Sequence, residues 1–593
     1  MPKIKLSDYI AKRLKEVYHV ERLFMVSGGG AMHLNHSFGS SIPYTANHHE
    51  QACAFAAEGY ARVNQKLAVV NVTTGPGGLN CLNGVFGQWT DSVPVLYISG
   101  QVKYPTTMAS CPDIPLRQLG DQEVDIISCV TPLVKYAKMV TEPNEIKYHL
   151  DKAIYEATNG RKGPVWLDIP MNVQAAYIDE EDLIEFVEPN PPLYESDFGL
   201  LVDKLIHAKK PLIVAGHGIR LSDSINEFRN LLGRLQIPVV STFNGCDILS
   251  YDSEYYIGTI GTIGQRAANF TVQNADFVLF LGTRNNIRQI SYNWENFAKN
   301  AYKVVVDIDK AELDKPTLIP DLKINTDLNW FITNLCNFLD KTTFVPSNNS
   351  EWLKFSLNLK SKYSFENHPE HSQKGDVINP YYFTKMLTSK LKNNDTLVCA
   401  NATPSICLFQ VGQFNDYRII MNSGDASMGF GLPAAIGAFY QTKGKTVVLE
   451  GDGSIMMNIQ EIQTIAHNKL PIKIFVINNA GYSSIRQSQK NFFAGAMVGS
   501  GVDSGLSVPD FVSVANAFGI KSVRIDKYSD SENKINEILA CDGPILAEVC
   551  VEKDYIFAPK LSARTLEDGT IVSPSIEDMY PFLDRNEFLS NII

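Results

Sequence analysis

GDGSIMMNIQEIQTIAHNKLPIKIFVINNAGY, residues 451–482, is the stretch whose reading decides the fold. Gly451-Asp452-Gly453 closes the apolar run TVVLE, a helical pattern follows around Met457 to His467, and the run IKIFVI ends at Asn478-Asn479. Strand, helix and strand in that order make one βαβ unit with parallel strands. Asp452 and Asn479 then stand at the carboxyl ends of those strands, the edge where open α/β sheets bind ligands. Two side-chain oxygens, a backbone carbonyl and diphosphate oxygens would complete the octahedral oxygen shell that Mg²⁺ demands. The glycines, with Ser454 behind them, let the backbone approach phosphates closely. A lone Gly-Asp-Gly would read as a plain turn with Asp452 as helix N-cap. The Asn pair 24 residues further on turns the balance toward a cation site.

The same pattern extends outward. LAVVNVTT, VPVLYISG, PLIVAGHG, ADFVLFLGT and YKVVVDID are short Val/Ile-rich runs alternating with helical stretches. Such runs suit strands buried on both faces of parallel sheets. The fold class is α/β, with three consecutive doubly wound parallel-sheet domains. Two polar, Pro- and Asn-containing seams, near 180–195 and 341–380, divide the 593 residues into domains at 1–185, 195–345 and 375–560, followed by a tail at 561–593. Net charge is −11, which repels phosphate backbones and argues against nucleic acid as a partner. No apolar run reaches the 18 or so residues of a membrane span. The ten cysteines are scattered, without a CxxC pair, and the first 26 residues read as an amphipathic helix running into a strand. A reducing, cytoplasmic setting is the expectation.

GDG–x24–NN resembles the cofactor signature of thiamine-diphosphate enzymes. The resemblance implies that Asp452, Asn479 and the carbonyl of Gly481 hold Mg²⁺, with Gly451, Gly453, Ser454 and Tyr482 beside the cofactor. It also implies a carboxylate that protonates the aminopyrimidine, and ANHHEQACAFAAEGYAR supplies Glu50 at the matching place. By itself Glu50 would be an unremarkable acid at a helix start. His48 and His49 read equally as proton relays or as cap and packing residues. The stretches VTTGPGGLNCLNGVFGQWTDSVPVLYISGQV, GPVWLDIPMNVQ and NSGDASMGFGLPAAIGA are similar to acetolactate synthases and their relatives. That likeness places Met428 as the apolar prop that bends the cofactor, and Gly30 and Gln122 close to the reacting centre.

In that family the central domain holds FAD. AGHGIR, GTIGQRAANF, LGTRNNIR and KVVVDIDKAEL resemble its flavin-contact segments, implicating Gly216, Gly264, Arg284 and Asp307; a plain α/β turn is the competing reading. Arg288 matches an arginine that steers a second 2-oxoacid, and Ile485 falls in the acceptor region. The chain also departs from the family. NNAGYSSIRQSQKNFF has no tryptophan, Asn286 and Ile287 replace paired aspartates, and Asp121 stands where an aromatic is usual. The segment NNAGYSSIRQSQKNFF and the tail LEDGTIVSPSIEDMYPF resemble a flavin-containing subgroup that forms branched sugars. The expectation is a carboligase that decarboxylates a 2-oxoacid, pyruvate first, and transfers the acyl unit to a second carbonyl such as a keto-deoxy nucleotide sugar. Acetolactate synthase proper and a simple 2-oxoacid decarboxylase are the alternatives. The family's sites lie between subunits, so a homodimer or homotetramer is expected.

Overall fold

The computed structural model describes residues 3–342, 350–565 and 568–593. Three six-stranded sheets, each parallel throughout, follow one another along the chain. Every apolar run named above forms a strand of one of them. Ala68–Val72, Val95–Gln101 and Phe277–Leu281 are buried along their whole length, because helices cover both faces.

The first sheet runs Tyr44–Ala46, Leu23–Met25, Ala68–Val72, Val95–Gln101, Val165–Pro170, Ala137–Met139 from edge to edge. The third repeats that order with Arg418–Met421, Thr396–Cys399, Thr446–Gly451, Lys473–Asn478, Ile545–Cys550 and Lys521–Ile525. The central sheet has the dinucleotide-fold order: Tyr256–Thr259, Val239–Ser241, Pro211–Ala215, Phe277–Leu281, Tyr302–Asp307, Leu322–Asn325. In each sheet the order reverses beside the first strand, and the loops diverging there leave the crevice where such sheets bind ligands.

The first and third sheets are joined by two helices in backbone contact, Glu50–Asn64 and Gly431–Phe439. A Cβ on Gly59 would lie 2.0 Å from the Ala434 carbonyl oxygen, and one on Gly437 would lie 1.7 Å from that of Ala56. The Ala- and Gly-rich sequence of both helices is what allows this approach.

The second seam is more than linker. Within it, helix Ser350–Lys362 packs on helix Arg266–Asn274 of the central sheet, with Leu359 and Tyr363 joining the Phe270 cluster. The proposed central-domain end at 345 lies outside the described residues. The tail is fastened to the same helix. Arg266 donates to the Met579 carbonyl, Asn269 to that of Ile576 and Asn274 to that of Asn591, while Phe588 packs 5.6 Å from Phe270. No helix among the described residues is long and apolar enough to cross a membrane, and all ten cysteines are free.

Candidate active site

Asp452 follows strand Thr446–Gly451 at the reversal point of the third sheet. The expected helix is split in two, Asp452–Ile455 and Glu461–His467. Asn458 between them donates to the carbonyl of Gly429 at 2.9 Å and to Gln51 Oε1 at 2.9 Å. The Asp452 carboxylate accepts three backbone N–H groups: Gly453 to Oδ1 at 2.7 Å, Asn479 and Gly481 to Oδ2 at 3.0 and 2.9 Å. Burial pushes its pKa up to about 6, against the pull of those N–H groups and of Arg486. No salt bridge to it forms among the described residues, so an anion is fixed in a dry place without a counter-ion. That arrangement fits a divalent cation.

Asn479 is equally constrained. Its Nδ2 donates to Thr403 Oγ1 at 3.2 Å and Tyr555 Oη at 3.1 Å, which leaves Oδ1 as the acceptor end of the amide, reached by a long hydrogen bond from Arg486 at 3.4 Å. Arg486 donates to the Asn479 carbonyl at 2.8 Å and the Ala480 carbonyl at 3.1 Å. Gly481 has φ +124°, and a Cβ there would lie 2.6 Å from the Ser500 oxygen. Tyr482 lays its ring on Gly453, where a Cβ would meet it at 2.2 Å. Among the described residues there is no cluster of three or more His, Cys, Asp and Glu. The available donor set is therefore one carboxylate, one amide and one carbonyl, which is oxygen-only chemistry. Met428 is held to the same unit, because the next residue donates its N–H to Ser454 Oγ at 3.0 Å. Gly429 itself has φ +84°, and a Cβ on it would meet Met457 at 2.7 Å.

The first domain supplies the second half. Glu50 opens its helix, half-buried, and accepts from Asn80 Nδ2 at 2.9 Å. His49 is the N-cap, its Nδ1 accepting from the Gln51 N–H at 3.0 Å. Gly30 donates to Thr73 Oγ1 at 3.0 Å at the reversal point of the first sheet. Gln122 is exposed with φ +58°, and its carbonyl oxygen packs onto Gly75, 1.9 Å from where a Cβ would be. Gly30 and Gln122 thus meet one loop, Thr73–Gly75, from two sides. Glu461, a residue that sequence reasoning missed, ties this half to the Asp452 unit by accepting from Asn47 Nδ2 and the His48 N–H, both at 2.8 Å. No hydrogen bond joins Glu50 to Asp452 or Asn479 within the chain. Thr403, Asn458 and Tyr555 were missed as well. Arg486, by contrast, lay in plain view in the quoted stretch after the Asn pair.

In the central sheet a cavity opens at the reversal point, spanning about 1000 Å³ of non-protein space when the solvent at its mouth is included, lined by Arg284, Arg288 and Asp307 together with residues of both other domains, among them Thr90 and Ser423. Gly216 abuts Gly282 behind it, a Cβ there meeting the Gly282 oxygen at 2.2 Å. Gly264 is not part of the lining; it makes a tight turn on Gly261. Burial raises Asp307 to about 6. His217, buried among Arg62, Arg418 and Arg220, is held neutral and leaves Nε2 without a partner. Arg288 lies 4.9 Å over the Phe243 ring and forms no ion pair among the described residues. Ile485 is exposed and lines neither this cavity nor the one beside the Asp452 unit.

Three successive parallel α/β sheets, with a buried carboxylate at the carboxyl edge of the third, define a multidomain α/β protein with its candidate site at that edge. Three family models match in succession: the N-terminal thiamine pyrophosphate-binding domain over residues 4–128, the central domain over 200–335 and the C-terminal thiamine pyrophosphate-binding domain over 405–549. The acetolactate synthase large subunit of Lactococcus lactis is 32% identical over 100% of both chains. The Escherichia coli isozyme 2 large subunit is 30% identical over 90% of this chain and 93% of its own. The chloroplastic acetolactate synthase of Arabidopsis thaliana is 30% identical over 95% of this chain and 84% of its own. The chain belongs to the thiamine-diphosphate-dependent, acetolactate synthase-like enzymes. These relatives favour the acetolactate synthase alternative over the nucleotide-sugar acceptor expected from the sequence, for which they offer no support.

Proposed function

We propose that the protein decarboxylates pyruvate and joins the two-carbon unit to a second 2-oxoacid, an acetolactate synthase reaction. The observation that carries this reading is the Asp452 carboxylate, buried and gripped by three N–H groups with no counter-cation. Asp452, Asn479 Oδ1 and the Gly481 carbonyl would hold Mg²⁺ against the diphosphate, over Gly451, Gly453 and Ser454. Thiamine diphosphate, when bound, supplies the carbon nucleophile and the electron sink for decarboxylation. Glu50 would serve as the proton donor and acceptor for the aminopyrimidine. Met428 would support the bound cofactor from its apolar side, and Tyr482 would pack beside it. Gly30, Gln122 and His49 line the approach from the first domain and exclude water. The Arg288 guanidinium, lacking a carboxylate of its own among the described residues, receives that of the acceptor.

The central cavity fits FAD. It lies at the reversal point of a 3-2-1-4-5-6 sheet, with a carboxylate at a strand end for a ribose hydroxyl. Arg284 and Asp307 would hold the group, with Gly216 allowing close approach and Gly264 shaping the adjacent turn.

The test is NMR of the products from pyruvate, thiamine diphosphate and Mg²⁺, with and without a 4-keto-6-deoxy nucleotide sugar. Acetolactate in both tubes is expected. A branched sugar formed only when the acceptor is added would overturn the 2-oxoacid acceptor, and acetaldehyde alone would make the protein a decarboxylase.

A further inference from the structure

On the other side of Asn479 and Tyr555 lies an open cavity of about 1450 Å³, walled by helix Ser483–Phe492, by residues 553–563 and by Tyr580. It shares Arg486 and Tyr555 with the Asp452 unit. In a chain of net charge −11, this cavity carries four cations, Arg486, Lys490, Lys553 and Lys560, against the single carboxylate of Asp554. Three of the five are accounted for: Lys490 pairs with Asp554 at 3.0 Å, and Arg486 is occupied by the carbonyls of Asn479, Ala480 and Ser500. Lys553 stands in solvent.

Lys560 is different. Its backbone is fixed on both sides, exchanging hydrogen bonds of 2.9 and 2.7 Å with Tyr580. Its side chain is half-buried and forms no hydrogen bond or ion pair among the described residues. Burial lowers its pKa, and no carboxylate counters that effect. A half-buried ammonium without an anion is costly unless a ligand completes it. Its neighbour places it further: the Leu561 N–H donates to the Thr262 carbonyl at 2.7 Å, and the Thr262 N–H donates to the Arg288 carbonyl at 2.9 Å. The backbones that carry these two unpaired cations are thus linked through Thr262, while their side chains line two neighbouring cavities.

We propose that Lys560 is an acceptor-binding residue, whose ammonium acts with Arg288 to draw in and hold the acceptor's anionic group. The assignment rests on the carboligase reading and adds to it the charge class of the acceptor. A 2-oxoacid carboxylate and a nucleotide diphosphate would both satisfy it, and the carboxylate is the group expected.

The experiment uses the holoenzyme and Lys560→Gln, with Lys560→Arg as control. With pyruvate as donor, the KM for 2-oxobutyrate rises about tenfold, kcat stays within about twofold, and turnover with uncharged acetaldehyde is unchanged; the arginine variant recovers most of the loss. Equal change for both acceptors, or none, would overturn the proposal. Calorimetric titration of 2-oxobutyrate and of CDP without donor separates the sources. Weakening of 2-oxobutyrate alone supports the carboxylate; weakening of CDP alone keeps Lys560 as an anion receptor and removes the 2-oxoacid acceptor. Should the wild type turn over no pyruvate, the carboligase reading falls and the titrations still judge Lys560.

Discussion

At the scale of single residues, the two carboxylates that matter are held in opposite ways. Asp452 is immobilised by N–H groups and waits for a cation, while Glu50 is half-buried and tied only by Asn80. Their substitutions should fail differently. Asp452→Ala is expected to lose Mg²⁺-dependent thiamine diphosphate binding by more than the roughly 10–100-fold typical of removing a group that only supports a ligand. Titration of the cofactor with and without Mg²⁺ checks it, and unchanged affinity would remove the metal site. Glu50→Gln should bind the cofactor as before and lose about 10²–10⁴-fold in turnover, the scale of a missing acid–base group. Full activity would remove the role given to Glu50. Both residues were legible because their motifs are local: a carboxylate at a strand end, an acid at a helix start. Thr403 and Tyr555 were not, because each reaches Asn479 from 76 residues away, and a sequence displays no such distance.

At the scale of elements, strands buried on both faces announce themselves as continuous Val/Ile runs, which is why all three sheets could be placed from sequence. Helix packing announces itself less. The Ala-rich helix Glu50–Asn64 read as a helix, but nothing in its sequence said that its backbone touches that of Gly431–Phe439. Glu50 heads the one and Met428 precedes the other, so their contact sets the site. Gly437→Ala has no room for its methyl and should cost about 1–3 kcal/mol, read as a lower denaturant midpoint, with activity falling further than stability. The same pair of helices carries a pH effect. Glu58 is buried, and burial with the nearby Asp91 and Asp425 charges raises its pKa to about 8, although Arg62 pairs with it at 2.9 Å. A carboxyl whose folded pKa lies above its unfolded value keeps its proton longer in the folded state, so stability falls as pH rises from about 4.5 to 8. Glu58→Gln should flatten that slope in melting temperature against pH; an unaltered slope would place the titration elsewhere.

At the scale of the molecule, the chain ties the two halves of the site together without linking their carboxylates. Glu461 binds the loop before Glu50 and Asn458 binds Gln51 just after it, yet no hydrogen bond among the described residues joins Glu50 to Asp452 or Asn479. The first and third sheets share one strand order and are bridged by paired helices. The homodimer expected from the sequence would have Glu50 of one subunit serve the cofactor held by Asp452 of the other. A mixing experiment tests this inference. Glu50→Gln and Asp452→Ala chains, each inactive alone, are unfolded together and refolded at equal concentration. In a shared-site dimer, half the molecules are mixed, and each mixed dimer carries one site with both defects and one with neither. Activity should therefore return to roughly a quarter of the wild type. A site built within one chain would regain none, because every chain would still hold its own defect. The recovered fraction thus reports which subunit each carboxylate serves, and Glu461→Gln, which loosens the loop but removes neither carboxylate, should lower turnover without changing that fraction.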